Sequence, residues 1–306
     1  GPTGPTGPTG PAGGSNAPGV TKGLKIAVAS TSTDATSGAI SVRFTLKDDS
    51  GYPVDVKGAY SVNNAFTVRF SLSRLATDAN GKQLPLVVLT KSGTTPQPTS
   101  FTAGSTGQGT LVENGTGNGD YTYTFPIANT TGGAQAVTYD ATKLNDTHVI
   151  WIQASRQTDR DNTSNVLTFY AANQAYYYVP ATNTASTTKR ELVTTANCSK
   201  CHADFKPEIL SDAFHGGGRV EGPYCNVCHN PGRVSNPDAD AMVFVHRIHF
   251  SEELTRVTTG TVTKGVQIGA GTNGADKTCS ATAACTCTVT NPCVPNAFHG
   301  IREVTY

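Results

Sequence analysis

Two short segments of this 306-residue chain carry its most distinctive chemistry: Cys198-Ser-Lys-Cys201-His202 and Cys225-Asn-Val-Cys228-His229. Each sets two thiols three positions apart and places an imidazole directly after the second. That is the form used for covalent attachment of c-type haem. Thiols at this spacing reach both vinyl groups on one porphyrin edge, while the adjacent His is carried under the ring to bind iron from the proximal face. A repeated Cys-x-x-Cys also resembles a zinc ribbon. The His that follows each pair decides for haem. The expected cofactor is haem c, two groups covalently attached in this chain. Cys198, Cys201, Cys225 and Cys228 would hold them, with His202 and His229 as proximal ligands.

A haem iron has a second axial face, for which His215, His246 and His249 are candidates. His215 is followed by Gly216, Gly217 and Gly218, which would let the backbone approach a flat macrocycle closely. His246 and His249 stand three apart in a stretch preceded by Pro237, Asp238 and Asp240, which suit a helix start. On a helix they would project from one side and could serve adjacent haems. Three candidates for two irons leave one over, which suggests a further haem whose motif lies beyond Tyr306. Met242 would raise the potential as an axial ligand, but histidines are in surplus. Cys279, Cys285, Cys287 and Cys293 are not followed by His. They read as one or two local disulfides in an exported chain, with three full pairings open, or less plainly as a metal cluster.

Residues 24–182 supply the scaffold. Ile40, Val42, Phe44 and Leu46 alternate with polar residues, as do Phe66, Val68, Phe70 and Leu72, and Tyr121, Tyr123 and Phe125. Period two of this kind marks half-buried strands. Further strands are expected at 24–29, 84–90, 149–154 and 166–170. The fold class is mainly β: an antiparallel sandwich or Greek-key domain, then a loop-rich, partly helical multihaem domain over 183–306. All 8 cysteines and 6 of the 7 histidines lie in that second region, which has few long apolar runs and needs cofactors to fill its middle. Residues 1–23 repeat Gly-Pro-Thr with the collagen period, too briefly for a triple helix, and read as an extended tether.

Several function classes are excluded or discounted. Charged residues make up 15% of the chain and the formal net charge is +1, so there is no electrostatic footprint for nucleic acid. No apolar run approaches the 18 or so residues of a membrane span. Gly115, Gly117 and Gly119 precede a strand rather than a helix and read as a hairpin turn, not a phosphate cradle. Asp159, Asp161 and Asn162 lack the Gly and Glu that complete a calcium loop. His148 reads as structural, and no Ser/His/Asp order stands out.

Beyond the paired motifs, an ordered set spans about 50 residues: Phe214-His215-Gly216-Gly217-Gly218-Arg219 between the motifs, Asn230-Pro231-Gly232 after the second, and Val245-His246-Arg247-Ile248-His249. In this the chain resembles the OmcA/MtrC family of outer-membrane decahaem c-type cytochromes. The resemblance implies an N-terminal β-domain, a lipid anchor upstream of residue 1 as the sole membrane association, and a cell-surface location. It also implies redox partner proteins of an outer-membrane electron conduit, and extracellular metal oxides or flavins as acceptors. A family segment similar to residues 298–306 precedes a third motif, so the chain reads as an amino-terminal fragment, with His299 a weak ligand candidate.

Irons saturated by two imidazoles exchange electrons rather than bind substrate, so the expected function is electron transfer and not enzymatic turnover. Two alternatives stand beside it. One is a terminal reductase of a small oxidant, acting through a haem that loses its distal ligand. The other is a zinc-stapled adhesion module.

Overall fold

The structure, a computed structural model, describes residues 22–34, 37–92, 97–126, 136–137, 140–158, 168–190, 193–202, 214–231, 240–241, 245, 255–258 and 261–264. In chain order the strands are β1 (Lys25–Thr33), β2 (Ile40–Lys47), β3 (Val68–Arg74), β4 (Val87–Val88), β5 (Thr90–Ser92), β6 (Gln97–Pro98), β7 (Phe101–Thr102) and β8 (Thr110–Glu113). They continue as β9 (Asp120–Thr124), β10 (Ala136–Val137), β11 (His148–Thr158), β12 (Thr168–Val179), β13 (Thr184–Ala185), β14 (Thr255–Thr258) and β15 (Thr261–Lys264). A first sheet runs β1-β2-β9-β8, and a second runs β13-β12-β11-β3-β4 with β7 beside β3. Every pairing in both is antiparallel.

The two sheets close on one apolar core, built as the alternation requires. Ile40, Val42, Phe44 and Leu46 of β2 point into it, with Tyr121 and Tyr123 of β9 from the same sheet and Val68, Phe70 and Leu72 of β3 from the other. Phe70 and Tyr123 stack with centroids 3.8 Å apart, and Phe44 meets Phe70 edge-on at 5.4 Å. The mainly antiparallel β architecture expected from the pattern is the one observed. The turn between β8 and β9 places Gly115, Gly117 and Gly119 at positive φ, as a hairpin needs. A Cβ on Gly119 would lie 2.5 Å from the Leu46 carbonyl oxygen, so both φ and space demand glycine there.

Two expectations need correction. The strand read at 84–90 is two short strands, β4 and β5, in different sheets. Pro85 brings no N–H to a ladder, and the chain changes sheets at Leu89, whose N–H donates to the Leu72 carbonyl. The strand read at 166–170 runs on to Val179 as β12, paired with β11 over eleven positions. Strand β11 is covered on both faces. Ile150, Ile152 and Ala154 face the first sheet, while Val149 and Trp151, also buried, belong to a second apolar cluster on the opposite face. The unbroken run Val149-Ile150-Trp151-Ile152 is the mark of a strand covered on both sides. Residues 1–21 and the segment holding Asp159, Asp161 and Asn162 lie outside the described residues.

His148 opens β11 and is buried, its Nδ1 3.0 Å from the Asp146 carbonyl oxygen. Burial holds its imidazole below the ordinary 6.5, so folding favours the neutral ring. The stability this confers is complete above about pH 6.5 and is lost as pH falls, because the unfolded chain then binds the proton more readily. His148→Gln is therefore expected to lose less denaturant resistance than the native chain between about pH 8 and about pH 5. In the core, Phe70→Ala should cost about 3–5 kcal/mol in equilibrium unfolding. Val112→Ala, on the exposed edge strand β8, should stay within about 0.5 kcal/mol.

Candidate haem-binding site

The outward face of the second sheet is organised in rows by the strand register. Ser73, Val149 and Tyr177 form one row, Ser71, Trp151 and Ala175 the next, and Arg69, Gln153 and Asn173 the third. The first two rows are largely apolar and the third is polar. Each part receives a different piece of the Cys/His-rich segment.

Helix α1 (Thr195–His202) carries Cys198, Cys201 and His202, and α2 (Gly222–Cys228) carries Cys225 and Cys228, with His229 as its C-terminal cap. One turn of helix thus separates the cysteines of each pair. Pro223 occupies the first turn of α2, where its missing N–H costs nothing. The helix starts are tied together through Thr195, whose hydroxyl accepts from the Gly222 N–H at 2.9 Å and donates to the Glu221 carboxylate. A Cβ on Gly222 would sit 3.2 Å from a Val193 methyl, so glycine lets the two segments approach. The side chains of Cys201 and His202 lie outside the described set.

Helix α2 is seated on the apolar rows. Tyr224, Val227 and Cys228 pack with Leu75, Val88, Val149, Trp151 and Tyr177. Tyr224 is 1% exposed and meets Trp151 edge-on at 5.8 Å. Its hydroxyl is hydrogen-bonded with that of Ser100 at 3.1 Å, which is bonded in turn to Ser71 at 2.9 Å. Cys198, from α1, packs against Ala171 and Val220. Burial raises the Cys198 thiol and pushes Cys225 up to about 11.

The polar row receives the segment after His215. Residues Phe214–Gly217 form a 3-10 turn in which His215 is left-handed (φ 50°, ψ 43°), followed by Gly216 and Gly217 at positive φ. Gly218 then comes so close to β11 that a Cβ would lie 2.7 Å from Gln153 Nε2. The glycines therefore shape the turn and admit the sheet, beyond any role in approaching a macrocycle. A cleft of about 400 Å³ lies between this turn and the sheet, lined by Arg69, Gln153, Phe169, His215, Gly218 and Arg219 among others.

The turn brings His215 to His229: their ring centroids are 6.0 Å apart with planes inclined at 38°. Two imidazoles binding one metal from opposite sides, with metal–nitrogen bonds of about 2 Å, need a centroid separation of about 6 Å. The spacing would admit an iron between the two rings, and Cys225 and Cys228, next to His229, are the thiols that would hold its macrocycle. His246, His249, His299, Met242 and the cysteines from Cys279 to Cys293 lie outside the described residues. Sequence reasoning missed Tyr224, Gln153 and Asn173, the contacts that seat the site. The only signal was the unalternating apolar run of β11.

A β-sandwich thus carries paired Cys-x-x-Cys-His segments on its outer face, the sequence form used to attach c-type haem. Comparison with known proteins agrees. Residues 190–293 match the family described as outer membrane cytochrome MtrC/MtrF-like, domains II/IV. The multiheme cytochrome MtrC of Shewanella baltica (strain OS185) is 30% identical over 132 residues, which are 43% of this chain and 18% of that protein. The crystal structure of MtrC from Shewanella baltica OS185 superposes with a TM-score of 0.51 at 24% identity, over 76% of this chain and 33% of its own. That of the outer membrane decaheme cytochrome OmcA gives a TM-score of 0.49 at 19% identity, over 80% of this chain and 37% of its own. In residues 190–293 the chain is thus similar to domains II/IV of MtrC/MtrF-like outer membrane cytochromes. It spans less than a fifth of the curated relative and about a third of the MtrC structure.

The seat of α2 can be tested by unfolding. Tyr224→Phe removes one hydrogen bond and should cost about 0.5–1.5 kcal/mol. Tyr224→Ala also empties the ring's place against Trp151 and should cost about 3–5 kcal/mol.

Proposed function

We propose that this chain relays electrons at the cell surface through two haem c groups. It would receive them from redox partner proteins of an outer-membrane conduit and pass them to extracellular acceptors such as metal oxides or flavin shuttles. One group is held by Cys198 and Cys201 with His202 as proximal ligand, the other by Cys225 and Cys228 with His229. His215 is the distal partner of His229, and His246 and His249 remain the candidates for further distal positions. Membrane association is by a lipid anchor upstream of residue 1.

The observation that carries this reading is the 6.0 Å separation of the His215 and His229 rings. Haem c, when bound, supplies reversible one-electron chemistry. The residues would do the rest: the cysteines would fix the macrocycle, and the two imidazoles would occupy its iron and so exclude substrate from it. Bis-imidazole ligation also favours ferric iron more than His/Met ligation does, which sets a low potential. The chain therefore acts as an electron-transfer protein rather than an enzyme.

One observation favours the rival reductase reading: His215 is exposed and sits on left-handed backbone, so it could leave the iron. Carbon monoxide separates the two. Intact mass of the denatured chain should show two covalent haem additions, and the reduced native protein should bind almost no carbon monoxide. His215→Gly should then bind about one molecule per chain. Rapid stoichiometric binding by the native protein would establish the reductase reading instead. A colourless denatured chain would overturn both.

A further inference from the structure

We infer that Asn173, on β12 of the sandwich, is a positioning residue for His215: its carboxamide clamps the backbone that leaves the His215 turn. The inference rests on the reading of His215 and His229 as axial partners and adds what holds one of them in place.

The clamp uses both ends of the amide. Asn173 Oδ1 accepts from the Val220 N–H at 2.8 Å and from the Glu221 N–H at 3.3 Å, while Nδ2 donates to the Gly218 carbonyl at 2.9 Å. The same Nδ2 lies 2.9 Å from the Ala172 carbonyl of its own strand, which fixes the side chain's orientation. The side chain thus acts as an extra peptide group, pairing with 218–221 as a neighbouring strand would. Its cross-strand partner Gln153 engages the same stretch. Gln153 Oε1 accepts from Arg219 Nε at 3.4 Å, and its Nε2 fills the space where a Gly218 side chain would stand.

The need for such a clamp lies in the turn itself. His215 has φ 50°, and Gly216 and Gly217 follow at 69° and 76°. A non-glycine residue held left-handed persists only where its surroundings over-determine it, and two glycines give the turn freedom to relax. The first fixed point after them is Gly218, and Asn173 is what fixes it. Helix α2, with His229 at its end, is set on the same sheet through Tyr224. Both imidazoles therefore take their positions from one sheet face, Asn173 acting for one and Tyr224 for the other.

The test uses the full, haem-loaded chain with Asn173→Ala, Asn173→Asp and His215→Gly. Haem content is read by intact mass, the axial pair by the low-spin electron paramagnetic resonance g-values and by carbon monoxide binding to the reduced protein. Asn173→Ala should keep both covalent haems, shift the g-values and raise the carbon-monoxide-reactive fraction about ten-fold, which corresponds to about 1.4 kcal/mol. Asn173→Asp keeps the acceptor for Val220 and Glu221, loses the donor to Gly218 and should fall between native and Ala. Should Asn173→Ala fail to accumulate with haem, the Asp variant decides by the same two readouts. Native g-values and native carbon monoxide reactivity in these variants, beside a changed His215→Gly, would overturn the clamp alone. An unchanged His215→Gly would overturn the axial pairing beneath it.

Discussion

The second sheet of the sandwich presents apolar side chains on both faces, so water must be excluded from it twice. The first sheet covers one side through Phe70 and its neighbours, and α2 with the stretch before it covers the other through Tyr224, Val227 and Val220. Leaving the outer face bare would expose Val149, Trp151 and Tyr177 together, at roughly 1.5–3 kcal/mol for each large side chain. The helix that carries Cys225 and Cys228 is thus seated by the scaffold's own need for burial. The short helices that carry the cysteines are too short to be stable alone, and the sheet supplies what their length does not.

That arrangement also divides labour across a few ångströms. Apolar rows take the helix, where contact need not be directional. The polar row takes the loop, where a position has to be specified, and specification comes from hydrogen bonds with defined geometry rather than from area. Asn173 and Gln153 are neighbours across two strands, so the register of β11 with β12 determines where the His215 turn ends. A slip of β12 by one residue would turn Asn173 into the core and leave Gln153 without it.

What the sequence discloses follows from how local each cause is. The attachment motifs are legible because five consecutive residues contain the whole chemical logic. β2 and β9 are legible because alternation is read within a single strand. β12 was truncated because Ala171, Ala172, Asn173 and Gln174 offer no alternation, their partners being split between a sheet, a loop and a helix. The facing of His215 and His229 was out of reach, since it depends on a left-handed residue and a side chain forty residues earlier. Tyr224 looked like any aromatic in a helix. Only the placement of Ser100 beneath it makes it a peg with a polar tip.

His215 lies at the surface, while Tyr224 and Val227, on the helix that ends at His229, are sealed. A group held between His215 and His229 would have one aqueous side and one apolar side. Solvent dipoles on the open side stabilise the more highly charged oxidation state, and the dry side resists rearrangement as charge moves. The two histidines thus stand at a boundary between solvent and a sealed apolar seat, and the protein environment differs across a few ångströms.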